Sequence, residues 1–193
     1  MAAAALTRMA PSTNASAPRG FGPLPFVAML LPWLVAGSLW SSLPDRVPMH
    51  FDASGRADGF VDRSALVWFA LPAFATALGS LLGFLLPRWM RGMAERNSSW
   101  LNVPDAARFR QLPADARVRA VAGPCVWLQA IAIELQVLFA WLLFGMQRVA
   151  TKTWDVLPPL PSFLLVGAVV LSALLLAVHG KRAVRAEVER GAG

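Results

Sequence analysis

Two places in this sequence carry side chains whose types and spacing are suited to chemistry. The first is the polar segment LPDRVPMHFDASGRADGF at residues 43–60, in which His50 is the only histidine among several aspartates. One imidazole with carboxylates is a ligand set that zinc or manganese accepts. The same groups also bind peptides, or bond to each other and fix the shape of a loop. We favour a hydrogen bond between His50 and Asp58 over a metal ion or a bound ligand, and all three interpretations stay open.

The second place is Glu134, an acid at the middle of an apolar run at residues 122–146. A charge at the bilayer centre costs about 2.5–3.5 kcal/mol, so we expect this carboxyl group to be protonated, paired or turned toward other helices. Trp127, Glu134 and Trp141 recur every seven residues and therefore share one helix face. Glu134, with Gln129 and Gln136 nearby, is either an intramembrane functional site or a neutral group that bonds a neighbouring helix. We favour the hydrogen bond.

The sequence lacks the motifs of common catalytic sites. It contains no Gly-x-Ser-x-Gly, no His-Glu-x-x-His and no phosphate-binding loop. The single cysteine, Cys125, excludes an internal disulfide and a cysteine-based zinc site. We therefore predict a protein that is not an enzyme and that has no metal site and no cofactor.

Four apolar runs of near-bilayer length must position these groups. The chain is 56% hydrophobic and only 15% charged, whereas a soluble domain is about 25% charged. A helix needs about 20 residues to cross the hydrocarbon. The predicted spans are residues 24–41, 64–86, 122–146 and 159–179. The sequence thus predicts an all-α integral membrane protein with four transmembrane helices in one membrane domain, residues 23–180.

Three polar segments accompany these spans. We expect a disordered tail at residues 1–22, a basic loop at residues 88–121 and a basic C-terminal tail at residues 181–193. In the basic loop, Pro104 suits the start of a short helix, and a further helix is predicted from Ala114 into the third span. Four apolar side chains of this loop are expected at the lipid interface, with the arginines reaching phosphate: Trp100, Val103, Phe109 and Leu112.

Basic residues are distributed unevenly between the two sides of the predicted bundle. The chain has 18 Lys and Arg against 11 Asp and Glu, and 13 of the 18 fall in the two tails and in the second loop, residues 88–121. Because short cytoplasmic loops are enriched in Lys and Arg, both termini are predicted to be cytoplasmic and residues 43–63 extracytoplasmic. Arginine-rich usage with much alanine, proline and glycine is typical of a high-GC bacterial gene, so the predicted location is the bacterial cytoplasmic (inner) membrane. The basic residues should contact anionic lipid, and no folded basic module indicates nucleic-acid binding.

The segment at residues 43–63 itself predicts a short β-hairpin. Two β-prone pieces, residues 47–51 and residues 56–61, flank the sequence Asp-Ala-Ser-Gly, which favours a tight turn. Asp62 or Ser64 is suited to cap the start of the second span.

This segment resembles the signature of the domain of unknown function 1648 family. That signature follows a first transmembrane helix and joins a Leu-Pro pair, a Pro-x-His-aromatic string, a glycine and an Asp-Gly-aromatic string. The matching residues here are Leu43, Pro44, Pro48, His50, Phe51, Gly55, Asp58, Gly59 and Phe60. Members often carry a lysine shortly after the last aromatic, where this chain has Asp62 and Arg63. The same module is found at the N-terminus of SdpI-type immunity proteins, which are longer and protect bacteria from a secreted toxin.

The resemblance implies a binding, sensing or immunity-type protein whose loop meets an extracytoplasmic peptide or protein. Two alternatives stay open: a small proton-coupled transporter centred on Glu134, and a structural or assembly subunit of a membrane complex. The partners we expect are the lipid bilayer, such a peptide or protein ligand and a second copy of the chain, with no nucleic acid.

Overall fold

Four long helices and one hairpin form the structure, a computed structural model that describes residues 20–191. The helices long and apolar enough to cross a membrane are Leu24–Ser42, Ala65–Glu95, Ala114–Ala150 and Pro159–Gly191. The prediction of a mostly helical protein with four helices of membrane-spanning length and a small hairpin is therefore confirmed. Residues 1–19, most of the tail predicted to be disordered at residues 1–22, lie outside the described residues. Residues 192 and 193 also lie outside them.

The first helix leads directly into the hairpin. Helix α1 (Leu24–Leu39) ends in a 3-10 turn at Trp40–Ser42. Strand β1 (Arg46–Phe51) and strand β2 (Ala57–Asp62) then pair antiparallel, with His50 opposite Gly59. Each strand lies within a residue of its predicted position because the turn chemistry fixes where the chain reverses.

The second membrane-length helix contains a π-helical turn. Helix α2 (Ala65–Ser80) is followed by the π turn at Leu81–Leu85 and by α3 (Leu86–Glu95). Pro87 has no N–H to donate to the carbonyl four residues earlier, and the Leu86 N–H instead bonds the Leu81 carbonyl, five residues back. The π turn therefore lets the helix pass the proline without ending.

The second span starts at a capped residue, as predicted. Ser64 has an extended backbone, and its hydroxyl oxygen accepts a hydrogen bond of 3.2 Å from the Val67 N–H. Of the two predicted caps, Asp62 and Ser64, the structure uses the serine. This bond satisfies one of the N–H groups that every helix leaves unpaired at its start.

Helix α5 lies at the centre of the bundle. After the short α4 (Ala106–Gln111), α5 (Ala114–Ala150) packs against α1, α2, α3 and α6 (Pro159–Gly191). The predicted helix start at Ala114 is confirmed. The short helix begins at Ala106 behind Asp105, two residues later than expected from Pro104.

The basic loop is folded against α5 and α6, which buries two of the side chains expected at the lipid interface. Phe109 and Leu112 are 2% and 6% exposed, in an apolar cluster with α5 and with Val184 and Val188 of α6. The prediction that these two side chains sit at the lipid interface is therefore wrong. Helix α6 continues through residues 181–191, predicted as a tail, and its apolar face covers them. Trp100 stays exposed.

The outward sides of α1 and α6 are apolar and exposed. The large exposed side chains on these two helices include Phe26, Val27, Leu30, Leu34, Leu160, Phe163, Leu164, Val170, Leu171 and Leu174. An apolar surface of this extent is unusual on a soluble monomer. It suits contact with the hydrocarbon chains of a bilayer.

Candidate functional site

The turn of the hairpin is organised by one carboxylate. Asp52 Oδ1 accepts hydrogen bonds from the Ser54 N–H at 2.8 Å, the Ser54 hydroxyl at 2.6 Å and the Arg56 N–H at 3.0 Å. The Ser54 hydroxyl, followed by the Arg56 N–H, holds the pKa of Asp52 below its ordinary value of 3.8. The charged form of Asp52 thus stabilises the turn.

The signature glycine, Gly55, attaches the turn to the rest of the bundle. Its carbonyl accepts a 2.8 Å hydrogen bond from the N–H of Leu157, in the connection between α5 and α6. Gly55 has a φ of +83°, and a Cβ there would overlap the Leu157 carbonyl oxygen. The Leu157 side chain is itself buried against Gly145 of α5. Both the backbone conformation and the close approach therefore require glycine at this position.

Arg63 closes the base of the hairpin. Its guanidinium donates to the Leu43 carbonyl at 2.7 Å and lies 5.5 Å from the centre of the Trp40 ring. The Arg63 N–H also donates to the Asp45 carbonyl at 2.7 Å. These bonds join the end of α1 to the start of α2, so the strands leave the bundle at a fixed angle.

The inward side chains of the signature pack into the bundle. Leu43, Val47 and Pro48 are buried, and Phe51 packs partly against the same cluster. Trp68 of α2 is 2% exposed beside them, and its indole N–H donates to a carbonyl of α1. These signature residues therefore have a structural role.

The outward side chains remain exposed. The Nδ1 atom of His50 is hydrogen-bonded to Oδ1 of Asp58, and the two side chains are 73% and 49% exposed. A Cβ on Gly59 would lie 2.9 Å from the His50 Cβ, so this glycine leaves room for the imidazole. Next to the pair, the Arg46 guanidinium lies 5.8 Å from the centre of the exposed Phe60 ring. We call Arg46, His50, Asp58 and Phe60 the hairpin face.

The hydrogen bond between His50 and Asp58 is the arrangement that the sequence favoured. Within residues 20–191 the structure brings together no group of three or more His, Cys, Asp or Glu side chains suited to a metal ion. What the hairpin face offers is an imidazole, a carboxylate, a guanidinium and an aromatic ring on a supported strand pair.

Glu134 faces helix α6. Its Oε1 accepts a 2.7 Å hydrogen bond from the Ser172 hydroxyl. Its Oε2 is buried and has no hydrogen-bond partner among the described residues. The structure thus contains the predicted bond to a neighbouring helix and also leaves one carboxyl oxygen unused.

The two tryptophans spaced seven residues from Glu134 face the same helix. Trp127 stacks on His179, with ring centres 5.5 Å apart. The Trp141 indole N–H donates to the Ser162 hydroxyl at 3.0 Å. The shared face predicted from the spacing is therefore the surface of α5 that holds α6.

Gln129 lies apart from Glu134 and supports the π turn. Its Nε2 donates to the Gly83 carbonyl at 3.4 Å, the carbonyl that Pro87 leaves without its usual helical donor. Its Oε1 accepts a 3.1 Å bond from the Phe21 N–H. The structure therefore does not bring Gln129 and Glu134 into one site.

Two buried glutamines of α5 bond to other elements; the sequence indicated Gln136 only as a neighbour of Glu134 and did not indicate Gln147. Gln136 is 0% exposed and donates to the Ala75 carbonyl at 2.8 Å, and Gln147 donates to the Ser42 hydroxyl at 3.0 Å. Each side-chain oxygen is buried without a partner among residues 20–191. The sequence signal for these residues was the presence of amide side chains inside an apolar run, because such groups form hydrogen bonds between helices in membranes.

The sequence-based prediction for Arg117 was also wrong. It was counted among the loop arginines that reach lipid phosphate, yet it is only 8% exposed. Its guanidinium donates to the carbonyls of Ala94 at 2.7 Å, Glu95 at 3.0 Å and Leu112. It therefore satisfies the end of α3 and holds the basic loop together.

Comparison with known proteins supports the family resemblance over the first part of the chain. Residues 27–76 match the family model described as Domain of unknown function (DUF1648). The matched stretch contains most of α1, the whole hairpin and α2 as far as Thr76. No curated protein and no solved structure matches the chain.

Proposed function

We propose that this multi-pass membrane protein binds an extracytoplasmic peptide or protein through its hairpin face, in a sensing or immunity-type role. The observation that carries the proposal is the exposure of the paired His50 and Asp58 on a hairpin that other groups hold in shape. Asp52 forms the turn, Gly55 attaches it and Arg63 closes its base. The outward pair is thus presented to solvent on a supported scaffold, which lowers the entropic cost of binding.

The chemistry of the hairpin face suits a polypeptide ligand. Aromatic rings and arginine are enriched at protein interfaces, and the Arg46–Phe60 pair supplies both. The His50–Asp58 pair adds hydrogen-bonding groups beside them. A ligand with a carboxylate for Arg46, an apolar side chain for Phe60 and a hydrogen-bonding group for the His50–Asp58 pair would use the whole face.

Charge distribution supports an extracytoplasmic hairpin. The bond between Gly55 and Leu157 puts the hairpin and the α5–α6 connection at one end of the bundle. Five of the 18 basic residues lie at this end, in the hairpin segment, the last turn of α5 and the α5–α6 connection, and the other 13 lie in the tails and at residues 88–121. By the positive-inside rule the hairpin end is external, in a bacterial cytoplasmic membrane.

Site-specific photocrosslinking in the native host tests this function. A photoreactive phenylalanine analogue at position 60 of the full chain should give a discrete adduct, while the same analogue at Trp100, 82% exposed at the other end, should not. The double substitution His50→Ala with Asp58→Ala should reduce the adduct about tenfold. Asp155→Ala is the matched control, because it removes an exposed carboxylate at the same end. An adduct that survives the double substitution, or that forms equally from both positions, would contradict the proposal.

A second candidate function, small proton-coupled transport, is favoured by one observation. Glu134 Oε2 is buried inside the bundle without a partner among the described residues, and an intramembrane acid is a functional candidate by default. In liposomes with an internal pH indicator, Glu134→Gln should then abolish proton movement, whereas the His50 and Asp58 substitutions should spare it. The third role, a structural or assembly subunit, would be favoured by a different result. That result is a phenotype that deletion of the chain produces and that neither the Glu134 substitution nor the His50 and Asp58 substitutions reproduce.

A further inference from the structure

A cleft at the basic end of the bundle has the properties of a ligand site. It lies beside the π turn and α3 and has a volume of about 700 Å³, within the range of small-molecule sites. Its polar lining includes Arg88, Arg91 and Arg96, with Glu95 as its one carboxylate. The cleft is thus positively charged, and it is at the opposite end from the hairpin face.

The charges of the three arginines are not compensated by ion pairs among residues 20–191. None of them forms an ion pair with an Asp or Glu in the part of the chain that the structure describes, where the paired arginines are Arg108, Arg119 and Arg190. A Cβ on Gly92 would lie 3.2 Å from Nη1 of Arg96, so this glycine lets the guanidinium fold back along α3. Three guanidinium groups converge on one cleft without a counter-charge of equal size, which favours an anionic ligand.

The depth of the cleft indicates which anion. Arg88 is the first charged residue after the apolar run at residues 64–86, and Trp89 beside it is 53% exposed, as is usual for tryptophan at headgroup depth. Phe84 and the exposed Leu85 line the cleft on the side of the apolar run. The site therefore offers cations at the headgroup level and apolar side chains directly beneath them.

We propose that this cleft binds an anionic phospholipid, with its phosphate on Arg88, Arg91 and Arg96 and its acyl chain along Phe84 and Leu85. Guanidinium groups bind phosphate oxygens through paired, charge-assisted hydrogen bonds. Basic pockets of this kind between membrane helices recognise lipid headgroups. The proposal does not depend on the function of the hairpin face.

Lipid retention by the purified full chain tests the proposal. In native mass spectra from a neutral detergent, the chain should retain phosphatidylglycerol in preference to phosphatidylcholine. The triple substitution of Arg88, Arg91 and Arg96 by Gln should remove that preference, and Arg91→Gln alone should weaken it about fivefold. If the triple variant loses the helical circular dichroism or the elution volume of the parent, its lipid binding is not interpretable. Lipid retention by the Arg91→Gln variant then decides whether the cleft binds the lipid.

A matched control separates a built site from diffuse attraction. Arg110, Arg182 and Arg185 are exposed arginines at the same end but outside the cleft, so their triple substitution by Gln removes the same charge. This control should keep the lipid preference. Equal loss in both triples, or unchanged retention in the cleft variants, would overturn the proposal. If inorganic phosphate or glycerol 3-phosphate stabilises the purified chain as much as the lipid does, the assignment of a lipid as the ligand is overturned.

Discussion

The backbone N–H of Leu157 donates a 2.8 Å hydrogen bond to the carbonyl of Gly55, which joins the hairpin turn to the connection between α5 and α6. The Leu157 side chain is buried against Gly145 of the central helix. The hairpin is thus held at both its turn and its base, where Arg63 bonds Leu43. A two-stranded hairpin alone is marginally stable in water, so these attachments are what present the hairpin face in one geometry.

Gly55→Ala should detach the turn from this connection. Alanine at a φ of +83° is strained, and its Cβ would overlap the Leu157 carbonyl oxygen, so we expect a loss of about 1–3 kcal/mol in unfolding free energy. The measurement is unfolding of the full chain in mixed micelles of increasing sodium dodecyl sulfate content. Gly37→Ala is the control, because a Cβ there meets nothing within 4 Å and alanine favours the helix. Equal stability of the two variants would refute the role assigned to Gly55.

Acid should loosen the turn at a pH set by Asp52. The folded-state pKa of Asp52 lies below 3.8, so its stabilising contribution is present above the unfolded pKa and is lost as the pH falls through the folded value. In micelles, the amide resonances of Ser54 and Arg56 should shift with a midpoint below 3.8, and Asp52→Asn should abolish this titration. A midpoint at or above the ordinary value would show that the three hydrogen bonds do not favour the carboxylate.

Arg117→Ala should disrupt the basic end of the bundle. The substitution removes three charge-assisted bonds to backbone carbonyls, two of them buried, and we expect the unfolding free energy to fall by about 2–4 kcal/mol. Arg110→Ala, at an exposed position of the same loop, should change it by less than about 0.5 kcal/mol. Thermal unfolding monitored by circular dichroism compares the two. Similar midpoints for both variants would mean that Arg117 is a surface charge, as its sequence context suggested.

Several elements of this fold follow from local sequence. The number of spans follows from apolar length, the hairpin from a turn sequence between β-prone strands, and the cap of α2 from Ser64. Each of these depends on a few neighbouring residues. The bond between His50 and Asp58 was favoured for the same reason, since both residues lie in one short segment.

Other elements depend on contacts between distant segments and were therefore missed. Phe109 and Leu112 look like interfacial side chains until α6 is seen to continue beside them. Arg117 has the same local context as the exposed arginines, and only the meeting of α3 and α5 buries it among carbonyls. The Gly55–Leu157 bond joins residues about half the chain apart, so no local pattern indicates it.

The bond between Glu134 and Ser172 should contribute modestly to stability. Hydrogen bonds between membrane helices average about 0.6 kcal/mol in double-mutant cycles, with a maximum near 1.7 kcal/mol. A cycle of Glu134→Ala and Ser172→Ala should give a coupling in this range, because the two side chains bond directly at 2.7 Å. The readout is unfolding free energy in mixed micelles. Strict additivity would show that the carboxyl group does not bond the serine in the folded protein.

The sidedness of the hairpin is the most direct test of an extracytoplasmic binding role. In a Cys125→Ala background, single cysteines at Ala53 and at Ser99 place one exposed thiol at each end of the bundle. Ala53 is preferred to Ser54, whose hydroxyl bonds Asp52. Intact cells or spheroplasts are treated with a membrane-impermeant maleimide, and permeabilised cells confirm that both thiols react. Labelling at position 53 but not at 99 is the predicted result, and labelling at 99 but not at 53 would contradict the account.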